Sequence, residues 1–459
     1  MKIQTVGINP TSQQTISLTP ELLASTGARY SRNNEGLEAI LEKIKGMDQD
    51  KAVDAIFKMV DYGHRSISDM APVAIFMDDI SIYMALKIWH LCPTAGGQES
   101  STRYVKLSID KITKPQNATD DFNEKINASF KAYEEAYQLW SDLATKDPSI
   151  LNIPADLIAS EERADKLKVE RLKRNFAFDR ARYFIPMCCQ TNVVIIMQAR
   201  GWVDLIQYLA SDVRNKESQE LAKQLNRELN KVTPRLTKHA IYCKETAQGI
   251  EADFLEEFQY HTPTDISHIH NADAKPFLQI VAPQRGMEKK VKNALKNHNN
   301  RYAYFGRHIK RIIVRFGWEA LTIAELRDLN RHRTGNKDFT LVPVGFYCSD
   351  DEIEKHKNID PEITKKLLKL REIGVELTQL ANLRFQSADS SFVYYLPMGA
   401  KCRYEHVTTA NHFLYQCELR TGLGAHFTYA TRMREVLELW HQIYPETRSM
   451  IKPGNAEPE

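Results

Sequence analysis

A chain of 459 residues with 42% hydrophobic side chains is long enough to bury a real core, in two domains of ordinary size or one large one. Its formal net charge of +3 is close to neutral, which argues against a general nucleic-acid binder, so no polymeric nucleic acid is expected as a partner, while a local basic pocket stays open. Seven cysteines, an odd number without a Cys-x-x-Cys pair, suit a reducing compartment, and the adjacent Cys188 and Cys189 in an apolar run read as buried thiols.

The start, MKIQTVGINPTSQQ, has no long apolar segment after a basic residue, so no secretory leader is read. In TPELLASTGARY (19–30) a threonine cap and a first-turn proline open a helix. DKAVDAIFKMVDYG (50–63) places Val53, Ile56, Phe57 and Val60 on one helical face and ends at Gly63. APVAIFMDDISIYMALKIWHL (71–91) begins as a strand and continues as a helix. EERADKLKVERLKRNFAFDRAR (161–182) predicts a solvated helix whose apolar side carries Leu167, Val169 and Leu172. Residues 193–210 predict a mostly buried helix, 216–240 an amphipathic one, and 362–383 another long helix. The longest apolar stretch, NVVIIM (192–197), is far too short to span a bilayer, so a cytoplasmic protein with no membrane partner is expected. Residues from about 245 to 300 read as a join. Its His261, His268 and His270 match no strong zinc spacing and have no nearby cysteine, so no metal is expected.

An internal repeat organises the chain. YFIPM (183–187) recurs as YYLPM (394–398), each followed by QARGW (198–202) or ELRTG (418–422) and preceded by IWHLC (88–92) or NRHRT (330–334). Three matches in one order predict a duplicated domain: a first copy over 1–245, a connecting region over 246–300, and a second, more divergent copy over 301–459.

Three stretches carry candidate chemistry. DYGHRSISDMAPVAIF (61–76) has a Gly-His bend, then Ser66 and Asp69 before an apolar strand. GGQESSTRY (96–104) reads as a flexible loop whose backbone amides, hydroxyls and Arg103 suit a phosphate, although an ordinary polar loop accounts for its composition equally well. LNRHRTGNKDF (329–339) sets Arg331, His332 and Arg333 in a row, poor core material and a candidate grip for an anion.

Taken together, GHRS-x-x-D, the strand and helix, a histidine tripeptide, ESSTRY and RARYFIP…QAR resemble the flavin-dependent thymidylate synthase family. The resemblance covers most of residues 20–240 and, more loosely, 300–440. It implies an α+β, helix-rich fold made of two fused copies, each a sheet packed against long helices. It also implies FAD as cofactor, with NADPH and methylenetetrahydrofolate as co-substrates. The implied reaction moves a one-carbon unit to C5 of a uridine nucleotide, dUMP or a related pyrimidine nucleotide, with reduced FAD giving the hydride. Arginines and backbone donors would polarise the pyrimidine, so no cysteine nucleophile is needed. The flavin would do the redox chemistry.

Carried over residue by residue, the resemblance implies catalytic roles for Arg331, Arg333, Ser101 and Arg103. It assigns the substrate to Glu99, Ser101, Arg103, Arg182, Arg331 and Arg333. It assigns the cofactor to Ser31, His64, Ser66, Asp69, His90, Arg200, His332 and Arg420. The first half departs from the pattern where Trp89 and Leu91 flank His90 in place of arginines, and Gln198, Asp204 and Leu209 also differ. The second half keeps Arg331-His332-Arg333 but lacks the Glu-x-Ser-x-Arg-Tyr loop and has Val393 in place of the nucleotide-binding arginine. These complementary losses suggest a composite site that combines Arg331–Arg333 with Glu99, Ser101, Arg103 and Arg182. By analogy with the family's multi-subunit assembly, a homodimer of tandem chains is expected. The alternative is a non-catalytic or repurposed relative that binds nucleotide or flavin, since a fold does not fix a function.

Overall fold

The computed structural model describes residues 1–6, 18–32, 34, 36–61, 65–102, 107–151, 153, 155–260, 274–281, 286–422 and 425–453. His64, Arg103, His261, His268 and His270 lie outside the described residues. The chain forms two compact units, one of residues 1–100, 110–117 and 189–260, the other of residues 101–109, 118–188 and 261–459. The expected portion 1–245 is therefore not one compact body, because 118–188 fold with the C-terminal part. The helix Phe122–Lys146 buries Phe130, Tyr133 and Trp140 and packs on Arg163–Ala181 and on the long helix Pro361–Gln386. That apolar face draws it to the second unit.

The first unit is built on β1 (Lys2–Val6), β2 (Pro72–Ser81), β3 (Gly96–Glu99) and β4 (Gln190–Gln198), all antiparallel in the order β1-β2-β4-β3. Val73, Ile75 and Met77 alternate inward on β2, and Val193, Ile195 and Met197 do so on β4. The expected buried helix at 193–210 is thus corrected to a strand followed by the helix Ala199–Ser211. The β-branched run Val193–Ile196 favours the pleated conformation. The expected flexible loop at 96–104 begins as the edge strand β3, paired with β4.

The second unit has β5 (Pro276–Val281), β6 (Ile313–Thr322), β7 (Asn336–Asp338), β8 (Gly345–Phe346) and β9 (Ala400–Thr409), in the order β5-β6-β9-β7, with β8 also on β9. In each unit the second strand carries a bulge, between Met77 and Ile80 or between Trp318 and Leu321. Each then runs into a helix, Ile82–Leu91 or Ile323–Asn330. Ser81 and Thr322 cap these helices, the latter in a full capping box with Glu325. The repeated segments YFIPM and YYLPM pair with each other in this unit. Met187 N–H donates to the Leu396 carbonyl, Met398 N–H donates to the Ile185 carbonyl, both at 2.8 Å, and Pro186 faces Pro397.

The molecule is helix-rich with sheets, as the α+β expectation has it. Two details of the helix expectations change. Leu167, placed on the apolar side of 161–182, is 63% exposed, whereas Val169 is buried as expected, and most of the helix's burial falls at its C-terminal end, Phe176–Ala181. No described helix is long and apolar enough to cross a membrane.

Candidate functional site

The cationic tripeptide forms at the end of a short helix. Leu326 and Leu329 anchor Ile323–Asn330 in the core. Arg331 is its C-cap and is exposed. His332 is buried, and its Nε2 accepts from Arg420 Nε at 2.8 Å. Burial, and then the Arg420 charge, hold the His332 pKa well below the ordinary histidine range, so the ring stays neutral and serves as the acceptor. Arg420 itself ends the helix Ala410–Arg420, and its guanidinium also lies over the Tyr429 ring at 5.6 Å.

The turn that follows is fixed by sterics. Gly335 has φ +83°, and a Cβ there would lie 2.3 Å from the Val407 carbonyl oxygen and 2.9 Å from His406 Nε2. Only glycine accepts that backbone and that clearance. His406 Nε2 bonds the Thr334 carbonyl at 2.7 Å, and burial followed by Lys337 pushes its pKa down to about 3. Lys337, on β7, is buried, and its Nζ lies 3.5 Å from the Asn330 carbonyl at the negative end of the preceding helix. Burial, with Arg333 adding repulsion, lowers the Lys337 pKa to about 8. Burial and then Arg331 also lower that of Arg333.

Arg182 reaches this helix from 146 residues away. Its Nη1 and Nη2 both donate to Asp328 Oδ2 at 3.1 Å, with both side chains buried. Asp328 stands three residues before Arg331, so the pair ties the helix bearing the tripeptide to the Arg182–Phe184 turn. Ser101, Arg182, Arg331, His332, Arg333 and Arg420 all belong to the second unit.

Other expected site residues lie in the first unit. Asp69, in the 3-10 turn Arg65–Met70 with exposed Ser66, pairs with Arg200 at 3.3 Å. Ser31 follows the helix Pro20–Tyr30, and its hydroxyl donates to the Ala28 carbonyl at 3.0 Å. His90 is exposed near the end of its helix, and Glu99 closes β3. Trp89 is part of the core instead of a charged site. Gly97, at φ +151°, leaves room for it: a Cβ there would lie 2.9 Å from Trp89 Cη2 and 1.9 Å from the Val194 carbonyl oxygen.

Sequence reasoning missed Asp328 and Lys337. The first had a signal, an acid one turn before the tripeptide on a capped helix, whereas the second is marked only by its burial. His426, six residues after Arg420, caps the separate helix Phe427–Ile443. It is fully buried, with Nε2 at 3.1 Å from the Asp179 carbonyl and Nδ1 at 3.0 Å from Thr428 Oγ1, so both nitrogens are spent on the fold.

Residues 15–235 match the family model described as Thymidylate synthase complementing protein. That stretch, a little under half of the chain, is similar to this family. It includes Arg182, Trp89 and the 96–102 segment, whereas Arg331–Arg333 lie beyond it. Among curated relatives, the flavin-dependent thymidylate synthase of Clostridium tetani is 22% identical over 227 residues, covering 48% of this chain and 82% of the relative. The UPF0159 protein Ta1429 of Thermoplasma acidophilum is 23% identical over 238 residues, 47% of either chain, so the chain spans about half the length of that relative. Among solved structures, the UMP/dUMP methylase PolB from Streptomyces cacaoi, bound with 5-Br dUMP, overlaps 52% of this chain and 93% of its own at 14% identity, with a TM-score of 0.32.

Proposed function

We propose that this chain is a flavin-dependent thymidylate synthase-like enzyme. It transfers a one-carbon unit from methylenetetrahydrofolate to C5 of a uridine nucleotide, dUMP or a related pyrimidine nucleotide, with reduced FAD as hydride source and NADPH as the flavin's reductant. The observation that carries this reading is Arg182, from the family-matched stretch, bound to Asp328 on the helix that presents Arg331-His332-Arg333.

The donor set suits a flavin dinucleotide. Arg331, Arg333, Arg420 and Lys337 are cations around a neutral His332, a composition that a diphosphate satisfies. In this reading His332 and Arg420 hold the cofactor, which supplies the hydride when bound, and Arg331 and Arg333 serve both it and the nucleotide. Arg182, Arg331 and Arg333 hold the nucleotide, with Glu99, Ser101 and Arg103 as further partners. Charge focused on the pyrimidine carbonyls makes C5 nucleophilic. Ser31, His64, Ser66, Asp69, His90, Glu99 and Arg200 are the first half's corresponding set.

Duplication of the chain is part of the proposal. It is supported by the shared strand order, by the bulge and capped helix after the second strand, and by the reciprocal pairing of YFIPM with YYLPM. That pairing joins Met187 to Leu396 and, reciprocally, Met398 to Ile185, with 185 and 187 equivalent to 396 and 398, the pattern of a two-fold contact between equivalent segments. A homodimer of such tandem chains and a cytoplasmic location complete the reading.

A second reading, a non-catalytic binding relative, draws on two facts: Asp328 already neutralises Arg182, and Trp89 is committed to the core. The discriminating experiment is reconstitution with FAD followed by NADPH, methylenetetrahydrofolate and dUMP. A flavin spectrum with nucleotide-dependent flavin reoxidation and a methylated product supports the enzyme. Stable flavin or nucleotide binding without product supports the second reading. A colourless protein that FAD does not reconstitute overturns the flavoenzyme.

A further inference from the structure

One surface of the second unit stands apart in charge. Residues 286–311, GMEKKVKNALKNHNNRYAYFGRHIKR, hold eight lysines and arginines and one acid, Glu288, within a chain whose formal net charge is only +3. Lys289, Lys290, Lys292, Lys296, Arg307, Lys310 and Arg311 are all exposed. The segment is nevertheless anchored. Met287, Val291 and Leu295 bury one side of the helix Met287–Leu295. Below the loop, His298 is buried against Glu418 at 2.9 Å and stacks on Phe305 at 4.2 Å. Gly306 N–H donates back to the Ala294 carbonyl at 3.0 Å, which folds the loop onto the helix.

From this base two tyrosines project. Tyr302 is 72% and Tyr304 69% exposed. Arg301 lies over the Tyr302 ring at 4.8 Å and also donates to its hydroxyl at 2.7 Å, while Lys310 lies over the Tyr304 ring at 5.2 Å. Two large rings held in water by a buried His–Glu anchor, each with its own cation, do nothing for the core. His308 reports the local field: some burial, then Arg307, Lys290 and Arg311, lower its pKa.

We propose that the helix Met287–Leu295 and the loop 296–311 form a binding surface for single-stranded nucleic acid, with Tyr302 and Tyr304 stacking on bases and the surrounding lysines and arginines tracking the phosphates. The pairing of exposed aromatics with cations is what favours an unpaired strand over other polyanions, because a stacked ring reads the face of a base that a duplex hides. The near-neutral total charge conceals the patch, since the rest of the chain offsets it. This surface is independent of the flavin reading and stands or falls without it.

The test is fluorescence anisotropy of the full chain with labelled oligo(U), labelled oligo(dT), and the corresponding duplex, over a salt series, together with sedimentation against anionic phospholipid vesicles. The single strands are expected to bind at least about tenfold tighter than the duplex, with affinity falling as salt rises. Y302A/Y304A should weaken strand binding by about tenfold or more, and Y302F/Y304F should restore it. K289Q/K290Q/K292Q should flatten the salt dependence by roughly two phosphates' worth. All three variants alter exposed positions and should melt as the wild type does. A preference for oligo(U) or for oligo(dT) identifies RNA or DNA as the strand. Absence of saturable binding at low salt overturns the proposal. So does duplex binding as tight as strand binding with Y302A/Y304A unchanged, and so does binding to vesicles alone.

Discussion

Replacing Asp328 with alanine separates a structural role of Arg182 from a binding role. Asp328 and Arg182 are 10% and 2% exposed, and one carboxylate oxygen takes both guanidinium donors. Removing the carboxylate leaves a buried, uncompensated cation, which costs about 3–5 kcal/mol. For a unit of this size that lowers the melting transition by roughly 6–20 °C. The same change frees the guanidinium for a phosphate. One charge-assisted bond, about 1.5–3 kcal/mol, corresponds to about a 10- to 150-fold gain in dUMP affinity. Stability and affinity therefore move in opposite directions. Differential scanning calorimetry with and without dUMP reads the first, and isothermal titration of the FAD-loaded protein reads the second. A double change, R182M with D328L, should recover most of the stability while losing the nucleotide, since a well-packed apolar pair replaces a buried ion pair at little cost. A loss of stability with unchanged dUMP affinity in D328A would make Arg182 a structural strut and refute its assignment to the nucleotide.

Lys337 gives a pH signature. Its folded pKa, about 8, lies below the ordinary 10.5, so the unfolded chain holds more protons between those values and this group's contribution to stability rises with pH across that window. Binding runs the other way: flavin affinity should fall above about pH 8 as the ammonium is lost, and K337M should be weaker at neutral pH and flat across the same range, read by flavin fluorescence titration. K337M should also raise the melting temperature of the ligand-free protein at pH 7, because the cost of burying the charge disappears. Gly97→Ala forces a Cβ onto the Val194 carbonyl at an unfavourable φ and should destabilise the first unit by about 2–3 kcal/mol, seen as faster amide exchange in β3 and β4. His332→Ala strands the Arg420 Nε in a buried setting and should cost about 1–3 kcal/mol, while His332→Gln, which keeps an acceptor, should lose less in chemical denaturation.

Much of this arrangement was legible in the chain because it is local. The threonine cap at Thr19, the Thr322–Glu325 box before the tripeptide and the apolar alternation of β2 are written in short windows of sequence. The helix expected over 193–210 failed at its first half because a continuous apolar run fits a buried helix and a sheet strand alike, and only pairing with β2 and β3 decides. Leu167 failed because a highly charged helix carries too few apolar residues to fix its orientation, so its buried end was set by aromatic contacts such as Phe176 with Trp140. At the candidate site the charged tripeptide stood out, but its partner Asp328 looked like an ordinary surface acid until Arg182 arrived from the other half of the sequence. Lys337 was invisible for the same reason: its perturbation comes from burial, which only the tertiary fold supplies. Trp89 is the converse case, where loss of an arginine was plain in sequence but its new place beneath Gly97 was not.

The central claim is that Arg182 and Arg331, 149 positions apart in the sequence, serve one nucleotide. Isothermal titration of dUMP into FAD-loaded wild type, Arg182→Ala and Arg331→Ala tests it most directly. The account predicts one binding event that either substitution weakens by at least about tenfold, with the flavin spectrum shifting on nucleotide addition in the wild type only. Full dUMP affinity in either variant, in a protein that still melts cooperatively, would contradict it.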